Sequence, residues 1–178
     1  MHWQIDPSHS SLTVAVRHMM ISTVRGRFSS VRGTLDFDPE KPERASTEIV
    51  IETASVDTND PNRDGHLRSA DFFDAATHPE ITFRSTKVER RADGAFAMTG
   101  DLTIRGTTKP VTVDIELEGV TEDARAGKRA GFSATAVIDR RDWGLVWNMP
   151  VPNGVLVGEK VKIAFDISAV LTAEARAA

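Results

Sequence analysis

Serine, histidine and carboxylate side chains gather at two points of this chain. The first is Asp6-Pro7-Ser8-His9-Ser10. A serine beside a histidine and an aspartate offers a nucleophile, a base and a group to orient that base. Acyl transfer also needs an oxyanion site, and no Gly-x-Ser-x-Gly elbow is present. The second point is Arg63-Asp64-Gly65-His66-Leu67-Arg68, followed by the apolar pair Phe72-Phe73. Together with His18, these histidines invite a metal reading. Their spacing matches neither His-Glu-x-x-His nor the alternating carboxylates of a calcium loop. Cysteine is absent, which excludes disulfides, thiolate metal sites and cysteine nucleophiles. The expectation is no catalytic residue, no metal and no cofactor, with His9, His18 and His66 hydrogen-bonding loops and a helix to the rest of the fold.

The elements that hold these residues are strands. Phe96, Met98, Gly100, Leu102 and Ile104 alternate with more polar neighbours. Val111, Val113, Ile115 and Leu117 alternate with Thr112, Asp114 and Glu116, and Val161, Ile163, Phe165 and Ile167 do the same near the end of the chain. A period of two marks a strand with one buried and one wet face. Parallel sheets covered on both faces read instead as continuous apolar runs. The pattern therefore predicts an all-β antiparallel fold. About eight long strands are expected, near 11–17, 27–38, 45–55, 80–91, 95–105, 109–121, 129–140 and 159–171, with residues 3–5 adding a short pairing. Tight turns are expected at Ala92-Asp93-Gly94, at Gly106-Thr107-Thr108 and between Glu122 and Lys128. Long meandering strands leave sticky edges unless the sheet closes, so an eight-stranded barrel is the predicted architecture. Two stretches break the alternation. His18–Val24 reads as a short helical turn, and Asn62–Ser69 reads as a helix followed by a turn through Asp71–Asp74.

The chain of 178 residues fits one domain, with a core over about residues 3–171 and a frayed tail over 172–178. Its net charge of -4 argues against nucleic acid as a partner, because phosphate backbones demand clustered cations. No apolar run approaches the roughly 18–20 residues of a spanning helix. A strand begins at Trp3 with no basic and apolar leader before it, so a cytoplasmic location is expected.

An eight-stranded barrel can be filled by its own side chains or can hold one small ligand. The inward phase contains Gly33, Gly100, Ala134 and Ala136. These either leave volume or interdigitate with facing phenylalanines, and the pattern leaves both open. The candidate lining is almost wholly apolar. The first half of the chain offers Leu12, Val14, Val16, Met20, Phe28, Leu35, Ile49 and Ile51. The helical region and the strand after it add Leu67, Phe72, Phe73, Ile81 and Phe83. The remaining strands add Met98, Gly100, Leu102, Ile104, Val113, Ile115, Phe132, Ala134, Ile163 and Phe165. Such a space suits a hydrocarbon rather than a sugar or nucleotide. Arg63, Asp64, His66 and Arg68 either meet a ligand's polar head at one barrel end or simply cap that end. Trp143 and Trp147, in Trp143-Gly144-Leu145-Val146-Trp147-Asn148-Met149-Pro150, fit a tunnel mouth or a dimer interface equally well.

Several longer motifs carry a resemblance. Ile5-Asp6-Pro7-Ser8-His9-Ser10, Val16-Arg17-His18-Met19-Met20 and Val24-Arg25-Gly26-Arg27-Phe28 resemble the opening of the YceI-like family. The likeness continues through Arg63–Asp74, His78-Pro79-Glu80-Ile81-Thr82-Phe83 and Gly100–Gly106, and it covers about residues 3–170. It implies a lipocalin-like antiparallel barrel that binds polyisoprenoid chains, including isoprenoid quinones, in an elongated apolar tunnel, commonly as a homodimer. The expected function is non-catalytic binding, storage or transport of a long isoprenoid lipid. The alternatives are an enzyme using His9 or His66 as a base on a small apolar substrate, and a ligand-free interaction module with a solid core.

Overall fold

Alternation of apolar and polar residues lets a sheet bury one face only by curling on itself, and this sheet does so. The computed structural model describes residues 1–123 and 127–172. Its strands are β1 (His2–Ile5), β2 (Ser11–His18), β3 (Ser22–Phe28), β4 (Val31–Asp36), β5 (Ser46–Glu52) and β6 (Val56–Asp57). After the helix α1 (Pro61–Arg68) come β7 (Glu80–Arg90), β8 (Phe96–Ile104), β9 (Thr107–Asp123), β10 (Gly127–Asp139), β11 (Pro150–Val151), β12 (Gly154–Val155) and β13 (Val157–Leu171). The order β1-β4-β5-β7-β8-β9-β10-β13, closed by β1 against β13, makes an eight-stranded antiparallel barrel.

Three of the staves are broken. β1 pairs with residues 169–171 of β13, and β2 pairs with residues 157–166 of the same strand. They form one stave, interrupted at Asp6–Ser10, where Pro7 cannot donate to a ladder. β3 and β4 continue each other in the same way, as do β5 and β6. The expected short pairing at residues 3–5 is therefore the strand that closes the ring. The strand expected over 27–38 is divided between β3 and β4, and the strand expected over 45–55 ends at Glu52, where Thr53–Ser55 turns into a 3-10 segment.

The helical turn expected over His18–Val24 is not there. The chain makes a tight hairpin, with the Ile21 amide donating to the His18 carbonyl at 3.2 Å and β3 starting at Ser22. Met19 and Met20 both have positive φ, 51° and 64°. Two successive positive values mark a turn that Asn-Gly ordinarily makes. Left-handed backbone costs other residues roughly 1–2 kcal/mol each, and no sequence signal announced it.

The helix lies where the pattern put it. Asp60 caps it by accepting from the Asn62 and Arg63 amides, both at 3.1 Å, and Pro61 occupies its first turn. Among the described residues β6 has no strand partner on its far side, and α1 and the segment to His78 cover this end of the barrel. The opposite end is closed by Trp3, Phe37 and Phe132. The Trp3 indole N–H donates to the Phe37 carbonyl at 2.9 Å, and the Phe37 and Phe132 rings meet edge to face at 5.0 Å. Thr172, expected to fray, donates from its amide and its hydroxyl to the His2 carbonyl. The rest of the expected tail, 173–178, and part of the turn between Glu122 and Lys128 lie outside the described residues.

Candidate functional site

Register sets inward side chains beside one another around the barrel. Phe96 pairs with Ile115, Ile115 with Ala134, Ala134 with Phe165, Phe165 with Leu12 and Leu12 with Phe28. This single row spans β8, β9, β10, β13, β2 and β3, and every member is apolar. The rows above and below it have the same character, and they enclose a cavity of about 270 Å³ along the barrel axis. Ligand pockets usually run to roughly 300–1,000 Å³, so the space is narrow and suits a thin chain. Its wall reaches from Pro42, Ala45 and Leu117 at one end to Leu67, Phe72 and Val157 at the other, and among the described residues only Thr47 and Arg140 in it are polar.

All but four of the residues named from the sequence line this cavity. The four exceptions are Met20, Gly100, Trp143 and Trp147. Met20 sits on the outside, at the tip of the β2–β3 hairpin. Gly100 lies under the Phe83 ring, so it makes room for a phenylalanine rather than for a ligand. Trp143 is 3% exposed and its indole N–H donates to the Leu102 carbonyl at 3.0 Å, which places it in the core and at neither a mouth nor a dimer interface. Trp147 stacks edge-on against His66 at 4.5 Å and lies 5.4 Å from Phe72, as an outer cover on the helical end. The sequence reading missed Ile5, Phe37, Phe96, Ile138 and Val161, all of which keep to the apolar alternation, and it missed Arg140, which does not.

Arg140 is 5% exposed at the start of the 3-10 segment Arg140–Trp143. Its Nε donates to the Gly158 carbonyl at 2.9 Å, and Nη2 donates to Val157 at 3.2 Å. Nη1 donates to Leu145 and, at 3.0 Å, to Trp147. Burial pulls its pKa below the ordinary arginine value, against the opposing pull of Glu159 and Asp139. This side chain staples the segment that runs from Leu145 to Gly158 over the barrel end. The charged helix residues do similar work. Asp64 accepts from the Thr58 amide and hydroxyl at 2.9 and 2.6 Å, and Arg63 donates to the Thr58 hydroxyl and carbonyl. Arg68 donates to the carbonyls of Ala54 and Val56. None of the three lines the cavity.

The histidines are dispersed. His9 Nδ1 lies 2.8 Å from Asp6, whose carboxylate also accepts from the Ser8 hydroxyl at 2.6 Å and from Arg129 at 2.8 Å. The Ser8 hydroxyl, Arg129 and His9 hold the Asp6 carboxyl well below the usual carboxylate range. This cluster pins the break between β1 and β2 to β10. His66 pairs with Asp71 at 2.8 Å, and His18 lies at the foot of the hairpin opposite Ser22. Among the described residues, no three histidine or carboxylate side chains gather where they could hold a metal ion.

A closed antiparallel barrel around an apolar axial cavity, capped by one short helix, defines a lipocalin-like class. The chain belongs to the YceI-like family: the YceI-like domain matches residues 3–169. Protein YceI from Escherichia coli is 42% identical over 140 residues, which cover 79% of this chain and 73% of that protein. The Campylobacter jejuni YCEI protein superposes with a TM-score of 0.77 at 30% identity, over 88% of this chain and 90% of that one. A polyisoprenoid binding domain from Saccharophagus degradans, implicated in plant cell wall breakdown, shares the fold with a TM-score of 0.68 at 14% identity, over 96% and 98% of the two chains. Among the described residues, no helix is long and apolar enough to cross a membrane.

Proposed function

We propose that this protein binds a long polyisoprenoid or isoprenoid-quinone-type lipid in the barrel cavity and stores or carries it without making or breaking bonds. The observation that carries this reading is the cavity itself, a narrow axial space whose wall is apolar except for Thr47 and Arg140. The Saccharophagus degradans domain of the same fold is described as polyisoprenoid binding, which supports the ligand class. Each buried methylene contributes about 0.8 kcal/mol, so a long tail can be held with few polar contacts, net of the cost of ordering it. Neither His9 nor His66 lines the cavity, so neither stands where a base would meet a buried substrate. Organic extraction of the purified protein, followed by mass spectrometry, tests the reading. A long-chain isoprenoid in near-stoichiometric amount is expected. An empty extract, together with no uptake of an added isoprenoid quinone, would overturn it.

A further inference from the structure

We propose that the barrel end formed by the β2–β3 hairpin tip and the segment 143–158 docks on the surface of an anionic lipid bilayer.

Exposure points to this end first. Met19, Met20 and Ile21 at the tip are 38%, 47% and 71% exposed, and Val146 and Met149 in the segment are 64% and 52% exposed. The two pieces are joined. The Met19 amide donates to the Leu156 carbonyl at 2.8 Å, and the Leu156 amide donates to the Met149 carbonyl at 2.9 Å. Met20 leans on the turn at Gly154, where an added Cβ would lie 3.5 Å from the Met20 Cγ. Clustered exposed apolar side chains mark an interaction surface, and methionines adapt to a fluid partner.

Charge selects the partner. The chain carries a net charge of -4, yet no Asp or Glu occurs between Asp6 and Asp36, a stretch that contains Arg17, Arg25, Arg27 and Arg32. The segment 143–158 contains no charged residue at all. Arg27 and Arg32 pair with Asp57 and Glu80, whereas among the described residues Arg17 donates only to the Met20 carbonyl and the Thr23 hydroxyl. Arg25 is exposed and has no carboxylate partner among the described residues. Asp142 and Glu159 flank the segment in sequence, with Arg141 engaging Glu159 at 2.8 Å, and Asp71 borders it in space, paired at 2.8 Å with the His66 that packs against Trp147. Exposed apolar side chains flanked by unpaired cations suit a surface that is greasy beneath and negative above. A two-fold contact of this patch with a second copy would bring Arg17 and Arg25 near the same cations of the partner.

The backbone agrees. Methionine at both left-handed positions of the turn is unfavourable where Asn-Gly would be relaxed, and strain of this kind gathers at sites of function. Val16 and Val157, at the foot of the hairpin, line the cavity, so a docked tip would set that end of the barrel against the membrane.

Co-sedimentation with phosphatidylcholine vesicles, with and without phosphatidylglycerol, is the test. Three proteins are compared: the wild type, the Met19→Asn/Met20→Gly double variant and Arg25→Gln. The wild type is expected to partition onto phosphatidylglycerol vesicles, less so as salt is raised. The double variant should lose at least about tenfold in partitioning, with a Tm equal to or above that of the wild type. Arg25→Gln should weaken binding only where phosphatidylglycerol is present. A wild type indifferent to anionic vesicles, or a double variant that binds as well as the wild type, overturns the proposal. So does a wild type that self-associates while the double variant is monomeric and neither binds vesicles, because the tip is then an interface between copies. Vesicle binding is scored without reference to cargo, so its failure leaves the lipid-carrier reading standing, and an empty extract leaves the docking intact.

Discussion

The Phe83 ring covers Gly100 so closely that a Cβ at position 100 would come within 2.4 Å of the ring's Cζ and 2.6 Å of the Arg84 carbonyl oxygen. Gly100 pairs with Ser85 on β7 and Val111 on β9, so the ring folds back over its own neighbour strand. This contact separates two small residues that look alike in the sequence.

Gly100→Ala must push the ring or the strand aside, and a destabilisation of about 1–3 kcal/mol is expected from overpacking. Ala134 borders the cavity instead. Ala134→Phe should fill part of the axial space, lower the uptake of an added isoprenoid quinone about tenfold and leave the melting curve cooperative. Thermal unfolding and ligand titration of the two variants separate the outcomes. Normal uptake by Ala134→Phe would remove that stretch of wall from the binding site.

Arg140→Met keeps much of the volume but removes donors to Gly158, Leu145, Trp147 and Val157. Leaving those carbonyls without partners is expected to cost about 2–4 kcal/mol. Lysine offers a point charge in place of a planar fork, so Arg140→Lys should recover little. Denaturant melts, combined with limited proteolysis, would show whether the segment from Leu145 to Gly158 loosens with the loss.

The Asp6 carboxyl, held low by Ser8, Arg129 and His9, gives a pH dependence of known sign. A folded-state pKa below the unfolded one contributes stability that is complete above about pH 4 and is lost as the pH falls further. Asp6→Asn should cost about 1–2 kcal/mol at neutral pH, and the difference from wild type should shrink in acid. Urea titrations from neutral pH down to acid read this directly, and a difference that grows on acidification would contradict it.

Trp147 shields Phe72, which lines the cavity. Trp147→Ala should therefore accelerate release of a loaded lipid several-fold while changing stability by no more than about 1–2 kcal/mol. Transfer of a fluorescent isoprenoid to acceptor vesicles, followed in time, measures it. Unchanged release would mean that lipid leaves by another route.

The alternation along β8, β9 and β13 gave away the barrel wall, because a half-buried strand must repeat with period two. The helix was equally readable from Asp60-Pro61 and the residues after it. What stayed hidden depends on long-range geometry. Gly100 and Ala134 share the inward phase, and only the direction of the Phe83 ring tells one from the other. Trp143 and Trp147 stand four residues apart in one loop, yet one is fixed in the core by the Leu102 carbonyl and the other lies over Phe72. Arg140 had no apolar period to betray it, since its burial is licensed by four carbonyls, two of them on a segment without regular structure and two at the start of β13. The hairpin at Met19-Met20 hid for the opposite reason. Its residues are poor turn formers, and the pattern there argues for something else.

The ring is completed only by β13, which joins β10 to the stave made of β1 and β2. The pairings that do not involve β13 can form earlier, as the strands emerge from the ribosome in order. A growing polypeptide must therefore hold a curled, half-finished sheet with its oily face uncovered until β13 has been made. Synthesis stalled before that strand would leave a species prone to aggregation, and such truncated chains would be natural clients for chaperones.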